Sequence, residues 1–113
     1  MKVINVYEQF FSASCIYHGI QRNGVLVTLT STYQQGIIKY QITITFFPHT
    51  ELEDFAVSYD AYASLEIYQA KGRRSKKREE AFLENFQIIA TQLASTLGGT
   101  IDWNNPLCSA RYA

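Results

Sequence analysis

Apolar and polar residues alternate with a period of two along much of the chain up to about residue 67, and a helical period takes over after residue 80. That change of period reads as a sheet followed by a covering helix. Between residues 37 and 47, Ile38, Tyr40, Ile42, Ile44 and Phe46 point one way, and Lys39, Gln41, Thr43 and Thr45 the other. This is a strand with one buried face, and Pro48 ends it by removing an amide donor. Upstream, Asn23-Gly24 is the strongest turn signal, because both residue types tolerate the positive φ angles of a two-residue type I′ hairpin. A turn there sets Arg22 opposite Val25, Ile20 opposite Val27, His18 opposite Leu29 and Ile16 opposite Ser31. One face of that hairpin is apolar, with His18 among its core residues. A second turn through Tyr33-Gln34-Gln35-Gly36 sets Leu29 opposite Tyr40 and Val27 opposite Ile42, so the apolar sets of successive strands agree.

Alternation resumes with Phe55, Val57, Tyr59, Ala61, Ala63, Leu65 and Ile67 on one face, and Ser58, Asp60, Tyr62, Ser64, Glu66 and Tyr68 on the other. The reading is one long, bent strand; the two alanines and Glu66 keep a helix over residues 60–70 as its alternative. Val3, Tyr7, Phe10 and Phe11 fit a helical stripe, but β-branched Val3, Ile4 and Val6 favour a strand over residues 1–11, and strand is the reading adopted. Farther on, Phe82, Leu83, Phe86, Ile89, Ala90, Leu93, Ala94 and Leu97 form one stripe at helical spacing. They predict a single long helix from about 76 to 97, with Ser75 as N-cap and Gly98-Gly99 as its stop. Thr100 to Trp103 adds a short strand, and Asn104-Asn105-Pro106 turns the chain. The expected fold is α+β: a single domain, 1–113, whose antiparallel meander of four to six strands carries the helix on its apolar face.

A length of 113 residues with 47% apolar content suits one self-sufficient core. No apolar run approaches the roughly 18 residues that span a bilayer. The segment Met1 to Glu8 lacks a signal-peptide core, so the expected location is cytoplasmic, without membrane contact. Cys15 and Cys108 are then expected to be reduced thiols.

Charge changes the picture. The net charge is zero, yet Lys71, Arg73, Arg74, Lys76, Lys77 and Arg78 place six of the ten basic residues within eight positions. Cations in the first turn oppose the helix dipole, so local stability does not explain them, although Glu79 and Glu80 lie within reach of Lys76 at i+3 and i+4. The block is the candidate site for phosphate or for an acidic partner surface; a solvated charged loop is the alternative. The acidic counterpart is Glu51, Glu53, Asp54, Asp60 and Glu66. A second candidate is the outward sheet face, where Lys39, Gln41, Thr43, Tyr62 and Tyr68 combine hydroxyls and aromatics in the manner of protein-recognition surfaces.

Catalytic signals are weaker. Cys15, His18, His49 and Cys108 include metal-ligand types, but their spacing matches no compact knuckle and supplies no oriented nucleophile pair. No cofactor and no enzymatic activity are expected. Small size, neutrality and an acidic body resemble small bacterial or phage accessory proteins that inhibit or adapt a larger partner, an analogy of type. The leading expectation is a non-enzymatic protein-binding module, an inhibitor or immunity-type factor. The alternative is a nucleic-acid-binding accessory protein gripping phosphates through 71–78, and a homodimer suits the polarised charge.

Overall fold

A computed structural model describes residues 1–48 and 61–107. The acidic stretch at 51–54, the first part of the strand expected from Phe55 to Ile67, His49 and Cys108 lie outside the described residues. Seven elements follow in order: β1 (Lys2–Tyr17), β2 (Ile20–Gln34), β3 (Ile37–Phe47), β4 (Ala61–Lys71), α1 (Lys76–Glu84), α2 (Phe86–Thr96) and β5 (Thr100–Pro106). The five strands form one antiparallel sheet in the order β4-β3-β2-β1-β5. The α+β class is as the period change predicts, and the N-terminal segment is a strand.

The turns differ from expectation. The β1–β2 hairpin closes at His18-Gly19, with φ of 52° and 77°, and Asn23-Gly24 lies inside β2. Histidine is among the residues that tolerate positive φ, and this placement lets Gly24 pair with Ser12 on one side and Phe47 on the other. A turn at Asn23 would forfeit both pairings, so tertiary pairing outweighs the stronger local dipeptide. His18 accordingly sits exposed at a hairpin tip instead of opposite Leu29, and Ile16 is exposed as well. Tyr7, Gln9 and Phe11 take the places opposite Leu29, Val27 and Val25. The next turn is a two-residue one at Gln35-Gly36, φ 54° and 77°, which sets Leu29 opposite Ile42 and Val27 opposite Ile44. That register is two residues from the expected one, and a shift of two keeps every side chain on its face.

A shift of one has the opposite consequence in β4. Tyr40 pairs with Tyr68 but Gln41 pairs with Glu66, leaving Ile67 as an extra residue. Such a bulge reverses the alternation beyond it. Ala61, Ala63 and Leu65 share the face of Phe46, Ile44 and Ile42, and past the bulge so do Tyr68 and Ala70 with Tyr40 and Ile38. Tyr68, expected on the outward face, therefore turns toward the helices.

The helical layer is two helices instead of one. Asn85, at φ −110° and ψ 8°, leaves helical geometry between α1 and α2, in keeping with the tendency of asparagine to end helices by local hydrogen bonding. In α2, Phe86, Ala90 and Ala94 are buried against the sheet, and small alanines at the centre of that row allow close approach. The core between layers comprises Val25, Val27, Leu29, Ile38, Tyr40, Ile42, Ile44 and Phe46, all with no exposed surface, together with that row.

After α2 the chain reverses through a Schellman cap: Gly98, at φ +74°, donates its N–H to the Ser95 carbonyl, and Gly99 donates to that of Ala94. A Cβ at Gly99 would lie 2.6 Å from Phe46 Cζ and 3.1 Å from Cys15 Cβ. Glycine is thus required there by packing. Gly99→Ala is expected to destabilise the fold by about 1–3 kcal/mol in urea denaturation; an unchanged midpoint would show that the contact relaxes freely.

Candidate functional site

The basic junction starts where β4 ends. Gly72 donates its N–H to the Gly36 carbonyl at 3.1 Å, tying the junction to the β2–β3 turn. Ser75 is the N-cap of α1, as expected: its side chain accepts the Arg78 N–H at 3.3 Å and its carbonyl accepts the Glu79 N–H at 3.0 Å. Glu79 does not serve Lys76. It turns inward and takes a two-pronged contact from Arg74, Nε to Oε2 at 2.9 Å and Nη2 to Oε1 at 2.8 Å. The Tyr40 hydroxyl donates to the same Oε2 at 2.6 Å. Glu79 is 5% exposed, and the pairing is what makes a carboxylate tenable there.

The electrostatics follow. Hydrogen bonding from Arg74 holds the Glu79 carboxyl below its ordinary value, aided by Tyr40 and opposed by burial. Burial, and then the hydrogen bond to Glu79 and its charge, push the Tyr40 phenol up. The Arg74 guanidinium is raised in turn, chiefly by its hydrogen bonds to Glu79. Arg78 is also engaged: its guanidinium lies 4.5 Å from the centre of the Tyr68 ring and donates from Nη1 to the Arg73 carbonyl at 3.3 Å. Phe82 packs on both tyrosines, with ring centroids 5.0 Å from Tyr40 and 5.7 Å from Tyr68.

The six block cations thus divide. Arg74 and Arg78 hold the junction together, while Lys71, Arg73, Lys76 and Lys77 are exposed and pair with no carboxylate among the described residues. Strand register adds Lys2, opposite Tyr33, and Lys39, opposite Thr32, at the same end of the sheet. Eight of the ten basic residues therefore gather at one pole.

The outward face of β2, β3 and β4 is covered by no described element across Lys39, Gln41, Thr43, Tyr62, Ser64 and Glu66. Its polar side chains are linked. Thr43 and Ser64 share a hydrogen bond at 2.8 Å, Gln41 donates to Thr43 Oγ1 at 3.5 Å, and Thr30 donates to the Gln41 carbonyl at 3.3 Å. Lys39 lies 3.9 Å from Glu66, and Tyr62 is 59% exposed. Of the five residues expected on this face, four are there, and the β4 bulge removes Tyr68.

Glu79 is the residue that sequence reasoning missed. Its signal was present: it lies three positions before Phe82 and seven before Phe86, on the apolar stripe extended backward. Elsewhere, Cys15 is a buried free thiol whose Sγ contacts the Leu97 carbonyl at 3.5 Å; burial raises its pKa against the opposing charge of Arg22. Among the described residues no three His, Cys, Asp or Glu side chains converge to hold a metal ion, and no helix is long and apolar enough to cross a membrane. Comparison with protein-family models, curated proteins and solved structures gave no match.

Because Glu79 titrates lower in the folded chain than in the unfolded one, the stability it contributes is complete above the unfolded value near 4.5 and is lost as pH falls through the lower folded value. Tyr40 has the opposite sign: its contribution is complete below about 10 and is lost as pH rises through its raised folded value. Glu79→Gln is expected to cost about 2–3 kcal/mol at neutral pH, since it weakens charge-assisted bonds to two donors. It should also reduce the loss of stability on acidification below pH 4.5. Denaturation curves across pH check both effects, and an acid limb identical to wild type would contradict the assignment.

Proposed function

We propose that the chain is a non-enzymatic protein-binding module of the inhibitor or immunity type, which docks its partner on the outward sheet face through Lys39, Gln41, Thr43 and Tyr62. The observation that carries this reading is the linked polar ladder running from Thr30 through Gln41 and Thr43 to Ser64 on a face without a described covering layer. Side chains already ordered against one another lose little entropy on association, and a half-exposed tyrosine adds contact area at small entropic cost. Among the described strands β4 lies at the edge of the sheet and borders the ladder.

A photo-crosslinking residue placed at Tyr62 or Thr43, with exposed Ile88 of α2 as the control position, tests this reading in host cells. The expected result is one and the same protein adduct from both sheet positions and none from position 88. Adding Lys39→Ala and Gln41→Ala should weaken that adduct. No adduct, equal adducts from all three positions, or an adduct only with a second copy of this chain would overturn the proposal.

The polar gathering of cations favours a second reading, nucleic-acid contact through Lys71, Arg73, Lys76 and Lys77. Phosphate neutralisation by several cations predicts an affinity that falls log-linearly with salt. Replacing Lys71, Lys76 and Lys77 by Ala should lower that slope by about two to three units. An unchanged slope and affinity would dispose of this reading.

A further inference from the structure

A cleft of about 260 Å³ opens beside the basic junction, on the helix-bearing side of the sheet, lined by Lys2, Ile4, Ser31, Tyr33, Arg73 and Arg74. Register explains its make-up: Lys2 pairs with Tyr33 and Ile4 with Ser31, so four lining residues share one face at the sheet's end. The junction supplies the two arginines. We propose that this cleft holds one nucleotide of a single-stranded nucleic acid, its base against Tyr33 and Ile4 and its phosphate against Arg73, Arg74 and Lys2.

Three features carry the inference. Tyr33 is 41% exposed, so an aromatic side chain is available beside three cations, and base stacking on such a platform is how single strands are gripped without sequence readout. The Arg74 fork is already fixed through Nε and Nη2 by Glu79, which leaves Nη1 as a preplaced donor; Arg73 and Lys2, without carboxylate partners among the described residues, supply the net charge. Ser31, 2% exposed and opposite Tyr40 in the strand register, closes the lining with a hydroxyl. An acidic peptide offers the carboxylate without the flat ring, and a duplex keeps its bases stacked, so neither uses the aromatic–cationic combination. The cleft lies on the face opposite the polar ladder, so the two contacts are separable.

The proposal rests on the nucleic-acid reading above, and the test separates the two. Binding of a fluorescent single-stranded octanucleotide would be measured by anisotropy for the full chain and for Tyr33→Ala, Tyr33→Phe and the triple Lys71→Ala, Lys76→Ala, Lys77→Ala variant. Tyr33→Ala should weaken binding about tenfold at every salt concentration with an unchanged salt slope. Tyr33→Phe, which keeps the ring, should bind like wild type, and the triple variant should lose slope while retaining its dependence on Tyr33. Full affinity in Tyr33→Ala beside a weakened triple variant would overturn the cleft and leave the general phosphate reading standing. No binding by the wild-type chain at low salt would overturn both. Equal competition by duplex DNA, or by inorganic phosphate at the same concentration as the oligonucleotide, would also overturn the single-strand assignment.

Discussion

The ion pair between half-exposed Arg74 and buried Glu79, closed by the Tyr40 hydroxyl, is the constraint on which the functional end of this chain depends. A carboxylate removed from water is strongly unfavourable unless donors replace its hydration, and here three donor atoms do so. The arrangement ties three segments together: β3 through Tyr40, α1 through Glu79 and the connecting loop through Arg74. Removing Arg74 or Tyr40 leaves buried Glu79 short of a donor, and removing Glu79 takes the acceptor from the Tyr40 hydroxyl. The cost of assembling the clamp is therefore recovered only when all three are in place, which makes the basic junction an ordered feature instead of a loose loop.

Much around the clamp follows from it. With Glu79 directed inward, α1 sets Phe82 on Tyr40 and Tyr68, and after the departure from helical geometry at Asn85, α2 packs into the core through Phe86, Ala90 and Ala94. The bulge at Ile67 brings Tyr68 to the same side, where it supports Phe82 and accepts Arg78 over its ring. Two of the six clustered cations make intramolecular contacts in this way. The others project from a junction that is fixed on one side by Gly72 against Gly36 and on the other by the Ser75 cap. Mutual repulsion among the exposed cations is thus borne by a scaffold that the clamp supplies, leaving one strongly positive pole and, around the edge of β3 and β4, a polar ladder facing the other way.

The sheet was legible where periodicity is strong, and the clamp was not. Ile38 to Phe46 alternate without interruption, and β3 lies where that alternation places it. Two-residue turns were harder, because His18-Gly19 and Gln35-Gly36 carry modest local signals and are selected by the pairing they allow, while the better dipeptide Asn23-Gly24 is absorbed into a strand. The bulge in β4 shows in the sequence only as the alternation ending at Ile67-Tyr68, which reads equally as the end of a strand, and tyrosine suits either face, so Tyr68 could not be assigned to its side from the pattern alone. Glu79 was hidden for a related reason: a glutamate in a first helical turn is satisfied equally by the dipole, by a nearby lysine or by an arginine from the preceding loop. Only the proximity of Tyr40, thirty-nine positions away, decides among them.

Amide hydrogen exchange of the wild-type chain beside Glu79→Gln tests most directly whether this clamp orders the basic pole. The expected result is at least about a tenfold loss of protection at Gly72, Arg78 and Glu79, whose amides bond across the junction, relative to amides at the centre of the sheet such as Val27 and Ile44. Equal loss at the junction and the sheet centre, or protection at the junction that Glu79→Gln leaves intact, would contradict the account.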